Sequence, residues 1–235
     1  MRGAHGTLPS APHSCQSGCM TGTTTLRDVS LSDEIYAELK NRLILGQYSP
    51  GDRLSMRKLA AEFGTSAMPV REALKRLSSE HVIESAAAKA FNVPSLSRKR
   101  AAGLFELRAL LESAAVEAAH PFLTPELLDE LEALCDRIDA HLKLRDFAAY
   151  MVDNRRFHFL LYRLADNPDL ISMIEQLWMK TGPSLFHGLQ EGGAAKLDWN
   201  ADHKRLCTAM RAGQVEDFGA IMRADVEWGA EFYRP

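Results

Sequence analysis

Two short amphipathic segments joined at Gly64 constrain this chain more than any other stretch. Residues 55–77 read Ser-Met-Arg-Lys-Leu-Ala-Ala-Glu-Phe-Gly-Thr-Ser-Ala-Met-Pro-Val-Arg-Glu-Ala-Leu-Lys-Arg-Leu. Ser55 can cap a short helix whose apolar side is Leu59, Ala60 and Phe63. Gly64 is placed to end it, because glycine enters the left-handed conformation at little cost. Ser66 can then cap a second helix, with Pro69 in its first turn, where a missing N–H matters least. Val70, Ala73, Leu74 and Leu77 follow the i, i+3, i+4, i+7 rule and form one buried stripe. Arg71, Lys75 and Arg76 occupy the other side. Two short helices, a tight turn and a basic second helix describe a helix-turn-helix. The second helix of such a unit enters the DNA major groove by its N-terminal residues. Ser66, Ala67, Met68 and Arg71 are therefore candidates for the base-facing edge, with Lys75 on the same basic side.

The same stretch also reads as two packed helices of an ordinary bundle with a solvated basic face. The residues that follow favour DNA. Residues 82–85 (Val-Ile-Glu-Ser) and 91–94 (Phe-Asn-Val-Pro) predict two short strands around an Ala/Lys turn. A hairpin directly after the second helix is a wing, and Lys89 near its tip is a candidate phosphate contact.

Charge points the same way. Residues 30–98 carry 10 Lys/Arg against 8 Asp/Glu, whereas residues 99–235 carry 16 against 22. An acidic C-terminal half is a poor nucleic-acid surface. Residues 30–98 must do any DNA binding, through local basic clusters rather than bulk charge.

The 235 residues suffice for two small domains. No run approaches the ~20 apolar residues of a membrane span, and the N-terminus lacks the apolar core of a signal peptide. Cys15, Cys19, Cys135 and Cys207 show no framework spacing and read as reduced thiols of a cytoplasmic protein. Residues 1–29 are rich in small and polar residues and predict a disordered tail, with Met20 a second candidate start. Cys15 and Cys19 with His5 and His13 lack a further ligand pair at zinc-site spacing.

The first helix is expected at 32–45, stopped by Gly46, followed by a Ser-Pro-Gly-Asp turn at 49–52. Beyond Leu96 helices are expected at 97–119, 125–143, 146–165, 168–188, 198–212 and 215–232. Breaks are expected at His120-Pro121, Asn167-Pro168, Gly182-Pro183, Gly192-Gly193 and Gly213. The fold class is mainly α. A tail (1–29) precedes a winged helix-turn-helix domain (30–95) and an all-α antiparallel bundle (96–235).

Several blocks resemble a known family. Pro-Gly-Asp-Arg-Leu-Ser at 50–55, Leu-Ala-Ala-Glu-Phe-Gly-Thr-Ser at 59–66 and Pro-Val-Arg-Glu-Ala-Leu-Lys-Arg-Leu at 69–77 resemble the winged helix of the GntR superfamily. Phe-Glu-Leu-Arg-Ala-Leu-Leu-Glu at 105–112 resembles the opening of its FadR-type (FCD) effector domain, and Arg-Phe-His at 156–158 and Asp-Asn-Pro at 166–168 its middle. The resemblance implies a dimeric transcription factor, most often a repressor. Its grip on a near-palindromic operator would respond to a small organic acid in the C-terminal bundle. It implies DNA-contacting roles for Arg57, Ser66 and Arg71. The chain departs from the pattern at Ala67, often arginine in the family, and at His81 and Ala90, usually glycine. Base reading is accordingly expected to lean on Arg71 and Lys89.

Asn154 and His158 lie four apart and share a helix face. His203 and Asp225 fall on the last two helices, which antiparallel packing can bring side by side. Two imidazoles, a carboxylate and an amide oxygen suit zinc, nickel or manganese. The other reading is a pair of hydrogen-bonded core histidines. The resemblance implies a metal here on an Asp or Asn and three histidines; this chain has Asn154 first and Asp225 in the last position. Arg108 can pair with Glu112 one turn on, or, as the resemblance implies, hold an acidic ligand. Tyr162, Trp178 and His187 are candidate pocket walls or core.

Two other function classes compete. A helical metalloenzyme would draw on Glu117-x-x-His120, but a di-iron site needs two such pairs and Pro121 ends this helix at once. No Gly-rich phosphate loop or HExxH run is present. An effector-free architectural protein would show no ligand-induced shift in melting.

Overall fold

The computed structural model describes residues 30–86, 90–191 and 198–230. The expectations for residues 1–29, including Cys15 and Cys19, and for Lys89 fall outside them.

Helix α1 (Leu31–Ile44) starts at Ser30, whose hydroxyl accepts from the Asp33 amide, and buries Ile35, Leu39, Leu43 and Ile44. Strand β1 (Arg53–Leu54) leads into α2 (Met56–Glu62), which Ser55 caps. Gly64 takes φ +62° and turns the chain into α3 (Ala67–Ser79), which buries Val70, Ala73, Leu74 and Leu77. Strands β2 (Glu84–Ala86) and β3 (Ala90–Asn92) form the wing. The sheet order is β1-β3-β2, with Leu54 opposite Phe91 on one side and Ser85 opposite Phe91 on the other. A two-residue β1 carries no readable alternation, so only the hairpin was expected.

One local expectation is corrected. Ser66 sits at the N-cap of α3, yet its hydroxyl makes no capping bond. The side-chain caps of α1 and α2 both take the amide three residues on, and at α3 that residue is Pro69, which has none. His81 takes φ +55° in the turn after α3, where the resembled family has glycine. The turn geometry is kept at the cost of a left-handed non-glycine residue, about 1–2 kcal/mol.

Among its described residues the C-terminal half holds helices and short loops and no strand beyond β3. Helix α4 (Arg98–Ala119) packs on α6 (Phe147–Leu164), α7 (Pro168–Gln190) and α9 (Val215–Trp228). Helix α5 (Pro125–Leu144) pairs with α6, and α8 (Ala201–Ala212) with α9 and α5. No described helix is long and apolar enough to cross a membrane.

Gly182-Pro183 is not a break: α7 runs through it to Gln190. Gly182 is needed for close approach. A Cβ there would lie 2.4 Å from the Leu43 carbonyl oxygen and 2.5 Å from that of Ile44, at the end of α1. Gly46, at φ +67°, faces back, its added Cβ 2.2 Å from Cβ of Phe186. Lys40–Glu175 (2.6 Å) braces the same junction, and Arg155–Asn41 (2.5 Å) ties α1 to α6. The DNA-binding half thus rests on α7 through two glycines. Gly182→Ala should lower the unfolding free energy by about 1–3 kcal/mol, the usual cost of overpacking. Chemical denaturation of variant and parent measures it.

Candidate functional site

The start of α3 faces outward. Ser66, Ala67, Met68 and Arg71 are exposed, Met68 by 74%. Arg57 is exposed on α2. Lys75 is exposed and paired with Glu72 at 3.0 Å. Arg76, read as part of the same basic side, is engaged elsewhere. It stacks on Tyr36 (3.7 Å to the ring centre) and pairs with Glu80 at 3.3 Å and Asp33 at 3.4 Å. The missing cap bond leaves the Ser66 hydroxyl available to a ligand. A cleft of about 470 Å³ between α3 and the wing is lined by Arg71, Lys75, Ser79 and Phe91.

The second constellation lies inside the helical half. His158 on α6, His203 on α8 and Asp225 on α9 offer ligand atoms all within 4.8 Å of one another. The two Nε2 atoms are 3.1 Å apart. Asp225 Oδ2 lies 3.3 Å from His158 Nε2, and Oδ1 lies 3.2 Å from His203 Nε2. Each Nδ1 is anchored from behind, His158 by the Tyr162 hydroxyl at 2.8 Å and His203 by Asn200 Oδ1 at 3.0 Å. Burial pushes His203 down to about 3 and holds His158 well below its usual range, with His203 adding to the effect. Both imidazoles are thus neutral, the form that binds a metal. Burial, aided by Asp202 and Glu112, raises Asp225 well above the usual carboxylate range. A cation at this point would reverse that preference.

Behind His158 sits a charged network. Glu112 is fully buried and accepts from Arg108 Nε at 2.6 Å, Trp178 Nε1 at 2.9 Å and the Tyr162 hydroxyl at 2.5 Å. Arg108 also donates to Thr181 Oγ1 at 3.2 Å and lies 4.4 Å from the centre of the Trp178 ring. Arg108 pairs with Glu112, the first of the two readings, and it also lines a cavity. That cavity, about 30 Å³, is bounded by Arg108, Tyr150, Asn154, His158, Asp225 and Trp228. One water needs roughly 10–15 Å³ on this measure, so the space suits an ion with a water, not a metabolite.

Tyr162 and Trp178 are not walls; they form the layer behind His158. His187 is exposed on α7 and lies 3.9 Å from Glu191. Helical phase puts it on the solvent side, one residue past the turn that faces α1. Tyr150 was missed. It lines the cavity, and burial raises its pKa. The signal was available, because Tyr150, Asn154, His158 and Tyr162 form one i, i+4 row. Glu117 and His120 do not join a metal group; His120 stacks edge-on against Phe218 at 6.1 Å.

Residues 31–93 match the family described as bacterial regulatory proteins, gntR family, and residues 103–227 match the FCD domain. The chain belongs to the GntR family. It is 35% identical over 190 residues to the HTH-type transcriptional regulator McbR of Escherichia coli strain K12, covering 81% of this chain and 86% of that one. A solved structure of E. coli McbR/YncC matches with a TM-score of 0.79 and 32% identity over 88% of this chain and 100% of that one. The gluconate operon transcriptional repressor of Bacillus subtilis strain 168 is 30% identical over 158 residues, or 67% of this chain and 63% of that protein. This GntR chain is a DNA-binding transcriptional regulator and not an enzyme.

The Glu112 network carries its own stability test. Removing one partner of a buried ion pair leaves the other uncompensated, which costs about 3–5 kcal/mol. Glu112→Ala should lose that much in urea unfolding, and the double variant Arg108→Met, Glu112→Leu markedly less.

Proposed function

We propose that this GntR regulator is a repressor that grips a near-palindromic operator as a homodimer and responds to a small organic acid. Bases would be read by Arg71 with Ser66, Ala67 and Met68, and phosphates by Arg57, Lys75 and Lys89. Two-fold pairing matches two half-sites and multiplies the few contacts of one winged helix. Exposed Leu107 (49%) and Leu110 (56%) on α4 offer an apolar face to a second copy.

The effector site is the small cavity, and the observation that carries it is the convergence of two Nε2 atoms and one carboxylate. Donors 3.1 Å apart can both reach one ion at ligand distances of about 2.0–2.1 Å. His158, His203 and Asp225 would hold a divalent ion such as zinc, nickel or manganese, with the Asn154 amide oxygen as a fourth ligand. Such an ion supplies concentrated positive charge to draw an anion into an acidic domain. Arg108 and the Tyr150 hydroxyl line the same space and would receive a ligand carboxylate.

Ligand pockets are usually about 300–1,000 Å³, so a metabolite enters here only if the walls part. Arg108 on α4 bonds Thr181 on α7, and the next residue, Gly182, touches the end of α1. Helix α1 in turn packs on α3. Movement of the cavity wall therefore has a packed route to the DNA-reading helix.

Two measurements test the reading. Arg71→Ala should weaken operator binding by about 1–3 kcal/mol, the worth of a bidentate base contact. An unchanged gel-shift affinity at matched salt removes Arg71 from the assignment. The double change His158→Ala, His203→Ala should abolish bound metal, found by elemental analysis after supplementation with zinc, nickel or manganese. It should also abolish any melting shift with a panel of hydroxy acids that includes gluconate, while DNA binding persists. A double variant that still responds overturns the site.

A further inference from the structure

Hydrogen counting around the two histidines points to residues that aim them. We propose that Asn200 and the Tyr162–Glu112 pair are positioning residues. They fix the hydrogen of each imidazole on Nδ1 and so present both Nε2 lone pairs to one point. This rests on the metal reading given above.

Asn200 stands in the first turn of the helix expected at 198–212, yet α8 begins only at Ala201 and the Asn200 side chain makes no capping bond. It turns inward instead. Its Nδ2 donates to the Cys135 carbonyl at 2.7 Å and to Asp139 Oδ1 at 2.7 Å. Both partners only accept, so a flipped amide would set oxygen against two oxygens. Oδ1 must therefore face His203 Nδ1, at 3.0 Å, and only a hydrogen on that nitrogen makes the contact favourable. In a neutral ring this leaves Nε2 bare.

The second relay gives the same result by other chemistry. The Tyr162 hydroxyl has one hydrogen, and Glu112 Oε2 lies 2.5 Å away. Glu112 already accepts from Arg108 and Trp178 and, as the arginine's ion-pair partner, donates nothing. The hydroxyl hydrogen goes to Glu112, and the phenol oxygen accepts from His158 Nδ1 at 2.8 Å. His158 Nε2 is bare as well. Two lone pairs 3.1 Å apart, with Asp225 oxygens at 3.2 and 3.3 Å, leave more acceptors than the single hydrogen of a neutral Asp225 carboxyl can satisfy. A cation satisfies such a cluster. Histidine ligands elsewhere are oriented in this way by a partner on the far nitrogen.

The test uses the full chain, metal-free and labelled with ¹⁵N-histidine. Two-bond ¹H–¹⁵N correlation should find His158 and His203 as Nδ1–H tautomers. Tyr162→Phe, nearly isosteric, should move His158 to the Nε2–H form or a mixture, with His203 unchanged; Asn200→Ala should do the converse. Zinc competed against a chelator should bind about 10–100-fold more weakly in either variant. Should Asn200→Ala fail to fold, Tyr162→Phe alone decides. Nε2–H tautomers in the parent, or a Tyr162→Phe variant with unchanged His158 tautomer and zinc affinity, overturn the proposal. Tautomers as expected in a parent that takes up no zinc support the relays and overturn the metal reading alone.

Discussion

Glu112 carries a carboxylate with no exposed surface, and the helical half is arranged to make that tolerable. An ion taken out of water costs several kcal/mol unless partners replace its hydration. Here the replacements come from three helices: Arg108 on α4 itself, Tyr162 on α6 and Trp178 on α7. No one of these helices can shift without leaving the charge short of a partner. The network therefore fixes where α6 sits against α4, and with it the position of His158. It also occupies much of Arg108, so a ligand carboxylate would meet an arginine already held in place.

The same network reaches the DNA-binding half. Arg108 touches Thr181, and Gly182 beside it is packed against the last carbonyls of α1. At Gly182 backbone meets backbone directly, so a displacement there passes on as backbone shift. The departures from the resembled family bear on the two ends of this path. His81 keeps a glycine-like turn before the wing. Asp225 replaces an expected imidazole with a carboxylate that still converges on the same point.

The helix-turn-helix was legible because its periodicity is local. Val70, Ala73, Leu74 and Leu77 mark the buried stripe of α3, and Gly64 its entry, without any distant partner. The basic face was read less well. Arg71 and Arg76 look equivalent in sequence, but Tyr36 and Glu80 claim Arg76. The failed cap at Ser66 was readable from Pro69 three residues on.

By itself the sequence determined the order of the helices, the helix ends at Gly46, Gly64 and Gly213, and the residue types able to hold a metal, since each depends on neighbours a few residues away. Tertiary structure alone decided which of those residues meet. His187 lies outside while Tyr150 lies inside. Gly182-Pro183 serves a helix crossing rather than a helix end. Asn200 leaves α8 to aim His203. Each outcome turns on contacts between helices far apart in the chain, and periodicity along one helix says only which face is buried, not what it is buried against.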